Sequence, residues 1–219
     1  MGNFQTFWVL LKKEFLLEYR QRYAISGILL YVFSTVFIIY TAFVRVDPQV
    51  WNTLFWMVML FASVNAVAKS FLQENGARQL YYYQIADPLS VIFAKMVYNT
   101  LLLLVLGLLA FGAFWLFAGN PVRNEGLFFI AVLLGSLGFS ITFTFVSAIS
   151  AKTNNSATLM AILSFPLVIP ILMTLIKITA NALALIQDTS VDQDIYILIA
   201  IDLMLTGIAM VLFPFLWKE

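Results

Sequence analysis

Few residues in this chain are equipped to do chemistry. Its 219 residues include no Cys and no His. That excludes disulfides, Cys/His zinc sites, a His-based catalytic base and axial haem ligation by His or Cys; only weaker ligands such as Met or Tyr remain. No G-x-x-x-x-G-K-[ST] phosphate loop occurs, so the usual motif for nucleotide hydrolysis is missing. A Ser-Lys nucleophile pair is conceivable. However, Lys69-Ser70 falls at the edge of an apolar run and Lys152 in a polar turn. The chain is therefore not expected to be an enzyme or to bind a cofactor, and nothing in it marks a nucleic-acid surface. Asp202 is the one acid inside an apolar run. An intramembrane carboxylate is a functional candidate by default, for proton or substrate handling. The bland reading, favoured here, puts it shallow in the outer leaflet, solvated from the mouth or bonded to a neighbouring helix. Asn65 and Asn99 read as interhelical hydrogen-bond partners rather than ligands. Ser136, Ser140 and Thr144 recur at four-residue spacing beside Gly135 and Gly138, a small-residue face for packing within the subunit or at a dimer seam.

The elements that must position these residues are membrane helices. The chain is 63% hydrophobic and 11% charged, with mean hydropathy +0.96. A soluble domain of this size cannot hide so much apolar surface. Six spans are expected, near Tyr23–Val44, Gln49–Ala68, Lys95–Ala118, Leu127–Ala151, from Ala157 onward, and Ile195–Trp217. Each is near the ~20 residues that a bilayer requires. Ahead of them, Phe4, Phe7, Trp8, Leu11 and Phe15 recur at helical spacing, so residues 1–22 read as an amphipathic helix at the membrane surface. Residues 1–219 form one membrane domain, with no internal repeat and no long linker.

Two segments interrupt the spans. The first, 69–94, is the longest stretch without a membrane-length apolar run. Within it Asp87-Pro88 reads as a helix start, because Asp caps free N–H groups and Pro at the first helical position loses no needed donor. The short helix that follows is expected to show Leu89, Ile92 and Phe93 on one face, near Lys95, as a dock for a soluble partner. The second lies after Ala157. Ala157–Ile186 as one straight helix is ~45 Å long against a ~30 Å core. Pro166 and Pro170 are expected to kink it, with an end near Met173–Lys177 and a short re-entrant helix in the outer segment 178–194. The alternative is a long tilted helix.

Lys and Arg set the orientation. With a cytoplasmic N-terminus, nine of the 12 basic residues lie inside: Lys12, Lys13, Arg20, Arg22, Lys69, Arg78, Lys95, Lys152 and Lys218. Arg45, Arg123 and Lys177 lie outside, a clear positive-inside bias. Both termini are then cytoplasmic.

Six spans, a surface helix and a cytoplasmic loop between spans 2 and 3 look like a type V ABC exporter permease. More closely, the chain resembles the CcmB family, haem exporter protein B of bacterial cytochrome c maturation. Two stretches carry the resemblance. One runs from Phe71-Leu72-Gln73-Glu74-Asn75-Gly76 to Ala94-Lys95-Met96, similar to the family's F…D/E…G…L…AK pattern. The other, Phe165-Pro166-Leu167-Val168-Ile169-Pro170-Ile171-Leu172, is similar to its LPL-x-IP-LL run. Gln79 departs from the pattern where an acidic residue is common, and Asp87-Pro88 occupies a loop often richer in proline.

The resemblance implies a homodimer paired with two copies of a soluble ATPase, CcmA, together with CcmC and CcmD, in the bacterial inner membrane. ATP is then bound by the ATPase, and haem is cargo of the complex, delivered to the periplasmic chaperone CcmE. It further implies that ATP hydrolysis serves release of the haem-loaded chaperone. Coupling would run through Glu74–Lys95, including Gly76, Asp87 and Pro88. The alternatives are a membrane scaffold that moves no solute, and a type V permease exporting an unrelated lipid or glycan. Transport predicts a polar cavity between spans at the dimer seam; a scaffold predicts a tightly packed apolar core.

Overall fold

A computed structural model of the chain describes residues 3–20, 22–43, 45–67, 87–151, 156–186 and 190–218. Most of the expected coupling loop, including Glu74 and Gly76, lies outside the described residues, as do Lys152 and residues 187–189. Among the described residues there are seven α-helices and no strand: α1 (Asn3–Arg20), α2 (Arg22–Ala42), α3 (Pro48–Val67), α4 (Pro88–Ala118), α5 (Glu125–Ser150), α6 (Ser156–Ala182) and α7 (Val191–Lys218). Five of these, α3 to α7, are long and apolar enough to cross a membrane. The described apolar part of α2, Ser26–Ala42, is shorter.

α5 is the central helix. It touches α3, α4, α6 and α7 and is buried along most of its length. Its burial follows from its sequence: small residues let neighbours approach, and no charged side chain follows Glu125 within it. At the end of the bundle away from α1, rings from three helices fill the core. Trp51 stacks on Phe55 at 5.5 Å, Trp51 meets Phe114 edge-on at 5.3 Å, and Phe128 packs on Phe111 at 4.9 Å.

Two sequence expectations are corrected. The helix opening at Asp87-Pro88 is not a separate coupling helix. Asp87 caps it, accepting from the Ser90 N–H at 3.2 Å, but α4 then continues through 31 residues to Ala118. At 1.5 Å per residue that rod is ~46 Å long, about three turns more than a ~30 Å hydrocarbon core needs. The extra turns are where α1 packs.

The second correction concerns the end of α6. The helix passes through Pro166 and Pro170 without ending near Met173–Lys177 and runs on to Ala182. Membrane helices tolerate proline within their length, and α6 carries both Pro166 and Pro170 inside it. Thr179–Ala182 is therefore the last turn of α6, and no re-entrant helix forms over 178–186. The helix stops in a Schellman arrangement: the Ala184 N–H donates to Asn181 O and the Leu185 N–H to Ala180 O, with Ala184 at φ 57°. The Ala182 carbonyl also receives the backbone N–H groups of Arg123 and Asn124 at 3.0 and 2.9 Å, which ties this end to the start of α5.

Candidate functional site

Two places hold most of the described polar residues that the sequence singled out. The first is the junction of α1 with the start of α4. α1 carries an apolar stripe and a basic face, and the stripe lies on α4: Leu10 and Leu11 are buried, Phe7 meets Phe93 at 6.4 Å, and Phe15 meets Tyr98 edge-on at 5.1 Å. Within this apolar contact Lys95, only 2% exposed, reaches Glu14 at 3.2 Å. Glu14 also lies 3.5 Å from Lys13. A buried cation needs a charged partner, and α1 supplies it across 81 residues of sequence.

The predicted docking residues divide between two faces. Leu89 and Phe93, one turn apart, are 43% and 40% exposed, whereas Ile92 is wholly buried. Ile92 belongs to the core, not to a docking face shared with Leu89 and Phe93. Phe7 links Phe93 to the exposed Trp8, whose ring lies 5.9 Å from that of Phe7.

The second place is the interior around α5. Asn99 donates to the Thr144 hydroxyl at 2.8 Å, and Ser140 donates to the Met96 carbonyl at 2.8 Å, so both tie α4 to α5. Ser136 bonds its own helix at Val132 O. Ser136, Ser140 and Thr144 are all fully buried within the chain, so they serve packing inside the subunit and do not face a dimer seam. Asn65 differs from its expected role. It is exposed and donates to the Phe61 carbonyl of its own helix at 2.9 Å.

Asp202 also departs from expectation. α7 begins at Val191 rather than at Ile195, so Asp202 lies about 17 Å along the helix axis from its start. It is 3% exposed and faces Gly138 near the middle of α5: a Cβ on that glycine would lie 2.7 Å from Asp202 Oδ1. Neither carboxylate oxygen has a hydrogen-bond partner among the described residues.

Two features escaped the sequence reading. The Trp56 indole donates to Thr179 Oγ1 at 2.9 Å, Thr179 Oγ1 lies 2.6 Å from Asn52 Oδ1, and Asn52 donates to Ile176 O at 2.9 Å. This buried chain joins α3 to α6. Asn52, an amide early in an apolar span, was its only signal. The other is the Lys177–Asp194 ion pair at 3.0 Å, which clamps α6 to α7 at the end away from α1.

As chemistry, the arrangement is spare. Among the described residues no group of three acids forms a metal site. Asp202 has no acid–base partner, and Asn99, Ser140, Asn52, Trp56 and Thr179 hold helices together.

The family model described as CcmB protein matches residues 5–217, nearly the whole chain. No curated protein matches it.

Proposed function

The chain belongs to the CcmB family, and from this premise we propose that it is the permease subunit of an ABC-type complex for cytochrome c maturation. A separate CcmA-like ATPase docks at its cytoplasmic face and drives haem delivery or release of the haem-loaded chaperone. ATP hydrolysis resides in that ATPase. Two copies of the chain form the permease in the bacterial inner membrane, with CcmC-, CcmD- and CcmE-like proteins as further partners. The family assigns the chain to the membrane component of a haem-exporting system. The coupling route is our own reading.

One observation carries that route. The α4 rod extends about three turns beyond a bilayer's needs, and α1 is fixed to that extension by the buried Glu14–Lys95 pair. A push on the exposed Leu89–Phe93 edge would reach the interior through a continuous helix, and Asn99 and Ser140 would pass it to α5. A rigid element biased by nucleotide state is what a two-state coupling mechanism requires.

A second reading, the scaffold without translocation, is favoured by the tightness of the interior. Gly135 lies against the Trp56 ring and Gly138 against Asp202 at distances that would exclude even a Cβ. Within one chain, the small-residue face is filled by neighbouring helices rather than opened as a path.

The test is copurification of the ATPase from detergent extracts. Wild type is compared with a Leu89→Glu, Phe93→Glu double variant. Arg123→Ala at the opposite end serves as the control. Loss of at least about tenfold in bound ATPase, some 1.4 kcal/mol, is expected for the double variant alone. Equal capture by the double variant removes this edge as the dock. No ATPase with wild type moves the scaffold reading ahead.

A further inference from the structure

The Asp202 carboxyl has no role in the docking scheme, yet its surroundings are specific. Its two oxygens and the Thr142 hydroxyl, 3% and 1% exposed by residue, are without hydrogen-bond partners among the described residues. They belong to adjacent helices. Asp202 Oδ1 lies against Gly138, and Thr142 follows Gly138 by one turn on the same face of α5. The Thr206 hydroxyl, one turn along α7, is turned to the Asp202 backbone carbonyl at 2.7 Å and so is not directed to the carboxyl. We propose that Asp202 and Thr142 form a site for a monovalent cation, a proton or a sodium ion, held between α5 and α7.

Charge points to this. An ionised carboxylate in an apolar helix bundle needs a counter-charge. The neighbouring helices supply none: residues 96–122, 126–151 and 157–176 contain no Asp, Glu, Lys or Arg. Two of the cations that bound these stretches are engaged elsewhere, Lys95 with Glu14 and Lys177 with Asp194. A cation bound at the carboxylate supplies the missing charge. A proton on either oxygen makes the carboxyl a donor that the Thr142 hydroxyl can accept; a sodium ion takes the carboxylate and hydroxyl as hard oxygen ligands. The surroundings are also close-packed on the α5 side, where the Ile171 methyl Cγ2 would lie 3.2 Å from the same Cβ position that touches Asp202. Gly138 is what admits the carboxyl so close to the α5 backbone. The site stands apart from the ATPase-docking reading and does not depend on it.

The test is infrared difference spectroscopy, wild type minus Asp202→Asn, on the full-length chain reconstituted in lipid vesicles. Binding of a proton predicts a carboxylic-acid carbonyl band that gives way to a carboxylate band as pH rises. Beyond its midpoint the acid-to-carboxylate ratio should fall about tenfold per pH unit, without response to sodium. Binding of sodium predicts loss of the acid band on adding sodium chloride at fixed pH but not on adding choline chloride. A carboxylate band at every pH, unresponsive to sodium, overturns the proposal. So does an acid band that neither condition changes, since a permanently neutral carboxyl exchanges no cation. Thr142→Val is the second variant. It should move the midpoint, in proton or sodium concentration, by at least about threefold. An unmoved midpoint overturns the two-residue site.

Discussion

At the scale of single residues, the glycines of α5 show how closely this interior is fitted. A Cβ added at Gly135 would lie 2.7 and 2.8 Å from two carbons of the Trp56 ring and 3.0 Å from Leu175. The ring cannot swing aside freely, because its indole N–H is committed to Thr179 and it is fully buried. Gly135→Ala is therefore expected to destabilise the detergent-solubilised protein by about 1–3 kcal/mol, as overpacking does in other cores. Gly112, on α4, meets nothing within 4 Å. Gly112→Ala should be neutral or stabilising by up to about 1 kcal/mol, the ordinary helix preference for Ala over Gly. Thermal unfolding of the two variants side by side checks both. If Gly135→Ala is as stable as Gly112→Ala, the close approach of Trp56 is wrong. Adding Trp56→Phe to Gly135→Ala should recover part of the loss, since the clash involves the outer ring that Phe lacks.

At the scale of elements, the fixed point is the attachment of α1 to α4. Lys95 is 2% and Glu14 12% exposed at the side chain, so theirs is a buried pair rather than a surface one. Glu14→Gln removes the carboxylate while leaving the shape. Breaking a buried pair from one side costs about 3–5 kcal/mol, and Glu14→Gln should fall at the low end because the amide can still accept a hydrogen bond. Amide exchange read by mass spectrometry should quicken along Asn3–Arg20 and the first turns of α4, and stay unchanged in α5. Equal exchange in α1 before and after substitution would mean that apolar contact alone holds it. This pair also shows what a sequence can reveal. The cap at Asp87 and the proline after it were legible because capping is local chemistry between neighbours. The continuity of α4 was not. Lys95 looks like a membrane boundary until its charge is seen to be met by Glu14. The start of α7 was misplaced for a similar reason: the acids before Ile195 read as loop, but Asp194 is paired with Lys177 and lies within α7. The prolines of α6 were read as breaks because the local cost of a lost N–H is visible in sequence, while the tolerance of a packed bundle for it is not. Asn65 and Asn99 look alike in sequence, and only the packing shows that one bonds across helices and the other within its own.

At the scale of the whole molecule, the open quantity is the side of the membrane on which α1 stands, and it turns on α2. α2 has 21 residues, about 32 Å at helical rise, close to a ~30 Å hydrocarbon core. Charge gives an independent argument. If α2 crosses, the basic residues divide nine to three. If it does not, Lys12, Lys13, Arg20 and Arg22 move to the side of Arg45, Arg123 and Lys177, and the division becomes seven to five. Basic residues in short loops drive orientation, so the first arrangement is strongly favoured and the second nearly indifferent. The chain has no Cys, so each introduced cysteine is the only thiol. Lys12→Cys on α1, Asp47→Cys between α2 and α3, and Asn120→Cys between α4 and α5 all fall at exposed positions. A membrane-impermeant maleimide applied to intact spheroplasts should label positions 47 and 120 and spare position 12 until the membrane is opened. Labelling of position 12 alongside 47 would mean that α2 does not cross. It would also move α1 to the side opposite Leu89 and Phe93, which its contact with Phe93 forbids unless α4 is itself drawn through the membrane. The Phe7–Phe93 and Glu14–Lys95 contacts thus require α1 and the start of α4 to share one face. With α3 and α4 each crossing once, only a crossing α2 brings them there.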